Sequence, residues 1–159
     1  MIIRNFQKED REEVEAIFAL YWTDPEFLKR LSDKLNMCIE QTKEYLDKKY
    51  RFFVAEENGE VVGIAGLRSA PDHMKLYTKT NNPAEFYVLA SKYKNKGIGT
   101  ALRLKRIEEA KKLGFTEVVL YSPNSHKESW AFHDKMGFEM VGEALAPDGE
   151  PGQIWRRVL

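Results

Sequence analysis

Two kinds of hydrophobic pattern divide this chain into strands and helices. Short apolar runs rich in β-branched and aromatic residues are typical of strands, and they occupy residues 2–6, 51–56, 61–67, 86–89, 116–122, 138–142 and 154–159. Helix formers, most with apolar residues every three or four positions, are typical of helices. Three of these stretches begin after Asp10, Asp24 and Ser125, and two more occupy residues 39–48 and 101–113.

Capping and turn residues mark where these elements begin. Asp10 with Glu13, and Ser125 with Glu128, have the spacing of a capping box, in which two side chains satisfy backbone N–H groups at a helix start. Both pairs therefore predict helix N-termini.

The connections predict how the strands pair. Residues 51–56 and 61–67 are joined through an Asn-Gly turn, the strongest short signal for an antiparallel hairpin. The strand, helix and strand over residues 86–122 predict a right-handed crossover and parallel pairing. The sequence therefore predicts an α/β fold with a mixed sheet, antiparallel in its N-terminal part, parallel between the fourth and fifth strands, and flanked by helices.

Length and charge narrow the class of protein. A chain of 159 residues is the size of one domain, so residues 1–159 are predicted to form a single domain. Lys plus Arg and Asp plus Glu are equal at 25 each, which gives no basic field for nucleic acid or a membrane surface. The single Cys38 excludes an internal disulfide framework and is interpreted as a small buried hydrophobe. The start of the chain has neither a signal peptide nor a membrane span, which predicts a cytoplasmic protein.

A glycine turn with the sequence KNKGIGT at residues 94–100 separates the fourth strand from its helix. The first backbone N–H groups of a helix have no intrahelical partner, and the helix dipole adds about half a positive charge there, so a phosphate is favoured. Gly97 and Gly99 allow a close approach of the backbone, and Lys94 and Lys96 add positive charge. The turn is therefore a candidate phosphate site.

Three phosphate-binding motifs compete for this turn. A P-loop needs a lysine and a Ser or Thr after its second glycine, whereas Gly99 is followed by Thr100 and Ala101. A dinucleotide fingerprint needs a third small residue where this chain has Leu102. Residues 94–99 instead resemble the Q/R-x-x-G-x-G/A motif of the GNAT superfamily of acyl-coenzyme A dependent N-acetyltransferases, with Lys94 where the family usually has Gln or Arg.

A second motif supports the same resemblance. The superfamily carries an Asn after its fifth strand, then a helix with the pattern A-x-x-F/L-Y-E-K-x-G-F. This chain has Asn124, followed by SWAFHDKMGF at residues 129–138. The order of elements is also similar, so the resemblance covers essentially the whole chain.

The resemblance implies acetyl-coenzyme A (acetyl-CoA) bound at a splay between the fourth and fifth strands. The main chain of the fourth strand would pair with the pantetheine arm, the glycine turn would hold the pyrophosphate, and an Asn side chain would hydrogen-bond the cosubstrate. A main-chain N–H at Val88 or Leu89 would stabilise the oxyanion of the tetrahedral intermediate. The residues implied are Val88, Leu89, Ala90, Lys94, Asn95, Lys96, Gly97, Ile98, Gly99, Thr100 and Asn124.

Two side chains are candidates for proton transfer. Glu85, at the start of the fourth strand, is the candidate general base, directly or through a water; the alternative is a solvated charge at a strand end. His133 occupies the position where the family usually carries a tyrosine that protonates the coenzyme A sulfur. Its reference pKa is about 6.5 rather than about 10, so its role as the acid competes with simple packing against coenzyme A.

The predicted function is transfer of an acetyl group from acetyl-CoA to a primary amine of an acceptor that the sequence does not identify. The alternatives are a non-catalytic acyl-coenzyme A binding module and, less consistent with the motifs, a nucleotide-binding domain. His73 and His126 lack ligand-like spacing, so no metal site is expected. The resemblance is compatible with a homodimer, although the sequence reveals no interface.

Overall fold

The structure is a computed structural model that describes residues 1–159. Its strands are β1 (Ile2–Asn5), β2 (Arg51–Glu57), β3 (Glu60–Ser69), β4 (Pro83–Ser91), β5 (Glu117–Pro123), β6 (Glu139–Leu145) and β7 (Pro151–Val158). Its helices are α1 (Arg11–Tyr21), α2 (Pro25–Glu40), α3 (Lys43–Asp47), α4 (Asp72–Lys75), α5 (Ile98–Lys112) and α6 (Trp130–Lys135). The strands form a seven-stranded sheet in the order β1-β2-β3-β4-β5-β7-β6.

The sheet is mixed, and this prediction is confirmed. Strand β2 pairs antiparallel with β1 and β3, and β7 pairs antiparallel with β5 and β6. Strands β4 and β5 run parallel, with Glu85 in register with Val119. Helix α5 connects β4 to β5, as expected for a crossover between parallel strands.

The chain divides into two compact units. The first unit contains residues 1–68 and 86–109, and the second contains residues 69–85 and 110–159. In the first unit, buried apolar side chains of α1 and α2, such as Val14 and Leu31, pack against the β2–β3 hairpin. In the second unit, Val119 and Ile154 pack with Met74 of α4. Each unit therefore has its own apolar core.

Neither predicted capping box forms. The carboxylate of Asp10 accepts hydrogen bonds from Arg4 and from the Gln7 N–H, and a 3₁₀ turn at Lys8–Asp10 precedes α1. Glu13 accepts from the Val61 N–H of the neighbouring hairpin at 2.9 Å. Asp10 therefore caps the 3₁₀ turn instead of pairing with Glu13, and Glu13 is used by a tertiary partner.

The second box fails for a similar reason. Ser125 donates to the carboxylate of Glu150 at 2.6 Å, and residues Asn124–Ser129 form a 3₁₀ turn. Helix α6 therefore begins only at Trp130.

Some helix bounds also differ from the prediction. A helix over residues 39–48 is wrong, because α2 continues to Glu40 and ends at Gln41 with a left-handed φ of 51°. The Thr42 side chain then accepts from the Tyr45 N–H and caps the short α3. Helix α5 starts at Ile98, inside the glycine turn, rather than at Ala101.

Candidate functional site

The predicted site residues fall into both compact units. Residues 88–90 of β4 and the glycine turn 94–100 belong to the first unit, and Glu85, Asn124 and His133 belong to the second. Within the first unit, Leu89 and Gly99 are close, since a Cβ built on Gly99 would lie 3.8 Å from Leu89 Cδ2.

The glycine turn has a backbone suited to an anion. Asn95 and Gly97 are left-handed, with φ of 58° and 76°, and residues 94–97 are exposed. The Ala101 N–H donates to the Gly97 carbonyl at 3.0 Å, so Gly97 opens α5 and the N–H groups that follow it lack intrahelical acceptors. Nothing lies within 4 Å of a Cβ built on Gly97. The turn therefore offers donors, positive dipole and open space together.

The end of β4, which leads into the glycine turn, forms hydrogen bonds and an ion pair within the first unit. The Tyr21 hydroxyl donates to the Ser91 carbonyl at 2.7 Å. Lys92 forms an ion pair with Glu60, which also accepts from the Tyr93 hydroxyl at 3.1 Å. These contacts hold the chain in place immediately before the exposed lysines.

Strand β4 carries a local distortion that the sequence did not predict. Val88 has a φ of 45°. A β-branched residue rarely adopts this left-handed conformation, and holding it there costs roughly 1–3 kcal/mol. Its carbonyl accepts a hydrogen bond from Arg106 Nη1 at 3.2 Å. The backbone around Val88 and Leu89 therefore departs from a regular ladder at the predicted oxyanion donors.

Glu85 and His133 lie on opposite faces of the sheet in the second unit. Glu85 is in register with Val119, and side chains in register share a face. His133 packs against Trp155, whose register partner is Leu120, with ring centroids 5.2 Å apart. Because Val119 and Leu120 are adjacent along β5, their side chains point in opposite directions.

The imidazole of His133 is buried, with 5% of its surface exposed, and its Nε2 lies 3.3 Å from the Ser129 hydroxyl. Ser129 donates its one proton to the His126 carbonyl at 2.7 Å, and its oxygen also lies 3.2 Å from the Ser122 hydroxyl. Ser129 must then accept from His133 and from Ser122. This assigns a proton to His133 Nε2, and it shows that Ser129, with Ser122 beside it, contacts the candidate acid, a relation that sequence analysis missed.

Asn124 follows β5 directly, and its Oδ1 is buried without a hydrogen-bond partner. A buried amide oxygen left unpaired costs about 1–3 kcal/mol, so its presence requires a reason. The role of Asn124 in binding a cosubstrate stays a prediction.

The other polar candidates have no comparable setting. His73 and His126 are exposed on α4 and on the 3₁₀ turn. Cys38 is half-buried against the core of the first unit, and burial raises the pKa of its thiol to about 12. No three His, Cys, Asp or Glu side chains come together in a group that could hold a metal ion. None of the helices is both long and apolar enough to span a membrane.

The chain is similar to acetyltransferases in sequence and in fold. The family model "Acetyltransferase (GNAT) family" matches residues 12–138. A rat relative, N-acetyltransferase family 8 member 3, is 30% identical over 100 residues, which is 62% of this chain and 43% of the relative. The chain thus spans less than half the length of that relative.

Two solved structures share the fold. An acetyltransferase of the GNAT family from Desulfovibrio desulfuricans aligns with a TM-score of 0.80 at 17% identity, over 99% of this chain and 98% of that one. The PaiA N-acetyltransferase from Thermoplasma acidophilum, in complex with coenzyme A, aligns with a TM-score of 0.68 at 20% identity, over 99% and 98% of the two chains. Because the family model matches most of the length of this chain, the chain belongs to the acetyltransferase (GNAT) family.

Proposed function

We propose that this chain is an N-acetyltransferase that transfers the acetyl group of acetyl-CoA to a primary amine of a small molecule or protein. The left-handed turn at Asn95 and Gly97 carries the proposal, because it combines unpaired helix N–H groups with open space. The unpaired Oδ1 of Asn124 is a second feature that fits the same ligand. Residues 1–159 would form one domain, since β4 and α5 each contribute residues to both units.

Binding would use the residues that the family motifs identify. Residues 94–100 would hold the pyrophosphate through backbone N–H groups, while Lys94 and Lys96 add positive charge. The main chain at residues 88–90 would pair with the pantetheine arm. Asn124 Oδ1 would accept a hydrogen bond from the cosubstrate.

The chemistry needs one proton removed and one supplied. Glu85 would take a proton from the amine, directly or through a water, as its nitrogen attacks the thioester carbonyl carbon. A main-chain N–H of β4 would stabilise the resulting oxyanion. The carbon–sulfur bond then breaks, and His133 would protonate the departing thiolate. The products are an amide and coenzyme A.

Thermal unfolding with added ligands tests the binding step. A ligand that binds only the native state at 100 times its Kd adds about 2.7 kcal/mol, which raises the Tm of a domain this size by roughly 5–10 °C. We expect a rise with millimolar acetyl-CoA and coenzyme A, a smaller one with pantetheine, which lacks the pyrophosphate, and none with ATP or NAD. A rise with ATP or NAD alone would favour the nucleotide-binding alternative.

Turnover distinguishes the enzyme from a non-catalytic binding module. Release of free thiol from acetyl-CoA would be measured against a panel of polyamines, aminoglycosides, amino acids and peptides with free N-termini. Amine-dependent thiol release supports the transferase. Binding of acetyl-CoA without turnover of any amine supports the binding module.

A further inference from the structure

Arg106 of α5 is buried in the first unit and bridges two strands of the sheet. Its side chain is 1% exposed. Nη1 donates to the Gly66 carbonyl of β3 at 3.0 Å and to the Val88 carbonyl of β4 at 3.2 Å. The guanidinium carbon also lies 4.2 Å from the centroid of the Phe86 ring. Both hydrogens of Arg106 Nη1 are therefore donated, one to β3 and one to the adjacent β4.

A buried guanidinium at this position is costly. Burial lowers the pKa of Arg106 well below its usual value, and its Nε has no hydrogen-bond partner. An apolar side chain of similar length would avoid most of this desolvation. The desolvation cost of burying Arg106 is therefore better explained by its hydrogen bonds to the backbone than by a contribution to core packing.

The group that Arg106 holds is the peptide between Val88 and Leu89. Val88 has the left-handed φ of 45°, which is unfavourable for a β-branched residue. On the β3 side a glycine is required, because a Cβ on Gly66 would lie 2.6 Å from the Tyr87 carbonyl oxygen. The glycine therefore allows β3 to lie close against β4 just before Val88, and the arginine contacts the Val88 carbonyl itself.

The direction of this peptide determines which N–H is presented. No peptide bond in the chain is cis, and in a planar trans peptide the C=O of one residue points opposite to the N–H of the next. With the Val88 carbonyl directed at Arg106, the Leu89 N–H points away from that guanidinium. A charge-assisted hydrogen bond to the carbonyl also polarises the peptide, which makes its N–H a stronger donor.

We propose that Arg106 is a positioning residue that orients the Val88–Leu89 peptide so that the Leu89 N–H, rather than the Val88 N–H, is the oxyanion donor. This inference rests on the proposed acetyl transfer and refines it. Arg106 itself touches neither substrate; it acts through the carbonyl of Val88.

The first experiment identifies the donor amide without any substitution at Arg106. Protein labelled with [¹⁵N]leucine and [¹⁵N]valine is titrated with acetyl-CoA and with coenzyme A, and the amide shifts of Leu89 and Val88 are compared. Conservative Leu89→Ile and Val88→Ile variants assign the two signals. We expect the Leu89 amide to respond to the acetyl group and the Val88 amide to respond equally to both ligands. A response to the acetyl group at Val88 instead of Leu89 would overturn the proposal.

The second experiment separates positioning from stability. Arg106→Met removes both hydrogen bonds, and we expect kcat to fall about tenfold or more, part of the 10²–10³ typical of a lost oxyanion donor, with the Kd for coenzyme A within twofold. Arg106→Lys, which keeps a donor, should recover part of kcat. Ile107→Ala truncates a buried neighbour on the same helix and should lower the Tm without changing kcat at a temperature where the protein is folded.

A double-mutant cycle tests the link to Val88. Glycine adopts a positive φ without strain, so Arg106→Met should reduce kcat less in the Val88→Gly background than in the wild type. Equal reductions in both backgrounds would overturn the proposal, as would an unchanged kcat in Arg106→Met.

The two proposals fail in different ways. If the wild type turns over no amine but binds acetyl-CoA, the transferase proposal fails, while the Leu89 amide still tests the orientation. If the Arg106 variants do not fold, the wild-type amide shifts still decide whether Leu89 or Val88 is the donor, and a response at Val88 still overturns the proposal.

Discussion

Glu85 and His133 lie on opposite faces of the sheet in the second unit, with Glu85 in register with Val119 and His133 packed against Trp155. In the proposed reaction, a base and an acid placed in this way would serve the amine and the sulfur without competing for one proton. Because the two side chains lie on opposite faces and would act on different atoms, we expect their effects on the activation free energy to add.

We therefore expect Glu85→Gln and His133→Ala each to lower kcat by about 10² or more, the usual range for acid–base groups. The double variant should show the product of the two single losses, measured as kcat over pH 5–10. His133→Tyr, which restores the usual family residue, should retain activity. Equal kcat in the wild type and His133→Ala would eliminate the acid role.

Ser129 orients the imidazole of His133 through the 3.3 Å contact between Oγ and Nε2. We expect Ser129→Ala to lower kcat roughly tenfold, since a small misplacement of a catalytic group costs one to two orders of magnitude. The same substitution in the His133→Tyr background should have little effect on kcat, because the imidazole is gone. A loss of equal size in both backgrounds would indicate that Ser129 stabilises α6 generally rather than His133.

Gly97 and Gly59 offer a matched pair for testing the glycine turn. Both are left-handed, with φ of 76° and 78°, and a Cβ on either meets nothing within 4 Å. Gly97→Ala and Gly59→Ala should therefore each cost about 1–2 kcal/mol of unfolding free energy. Only Gly97→Ala should weaken coenzyme A binding, by about tenfold or more in Kd measured by calorimetry. An equal Kd in both variants would place the pyrophosphate elsewhere.

Asn124 is predicted to lower the stability of the ligand-free protein and to contribute to acetyl-CoA binding. Its buried, unpaired Oδ1 should make Asn124→Ala neutral or slightly stabilising in the ligand-free protein. The same variant should lose part of the Tm rise with acetyl-CoA. Paired thermal scans with and without acetyl-CoA measure both effects. A variant that is destabilised without ligand and keeps the full Tm rise would show a structural role for this amide.

Local sequence signals predicted the sheet and the glycine turn because their determinants are short in range. Short apolar runs, the Asn-Gly hairpin at residues 58–59 and the strand–helix–strand unit each depend on nearby residues. These predictions are confirmed by the strand pairing. The choice of catalytic residues stays a prediction.

Features that depend on distant partners were not predictable. Glu13, which was assigned to a capping box, accepts from the Val61 N–H instead, and Ser125 bonds to Glu150. The left-handed Val88 has no sequence signal, because its neighbours read as an ordinary strand. The burial of Arg106 has no sequence signal either, because it stands among the many other charged residues of α5.

The Arg4–Asp10 pair predicts a pH dependence of stability. Arg4 donates two hydrogen bonds of 2.8 Å to Asp10, which hold the pKa of this carboxyl below its usual value. A carboxyl with a lowered folded-state pKa contributes stability above its unfolded pKa of about 3.9, and that stability is lost as the pH falls through the folded value. Asp10→Asn should therefore lose about 1–3 kcal/mol at pH 7.

The difference between Asp10→Asn and the wild type should shrink as the pH falls below about 4, because the unfolded chain then binds a proton that the folded Asp10 does not. Urea unfolding at pH 7, 5 and 3 measures this difference. Glu44→Gln is the control, because Glu44 pairs with Lys48 on the exposed surface of its helix and such pairs contribute little. A loss in Asp10→Asn that stays constant from pH 7 to pH 3 would mean that packing, rather than the carboxylate charge, accounts for the contribution of Asp10.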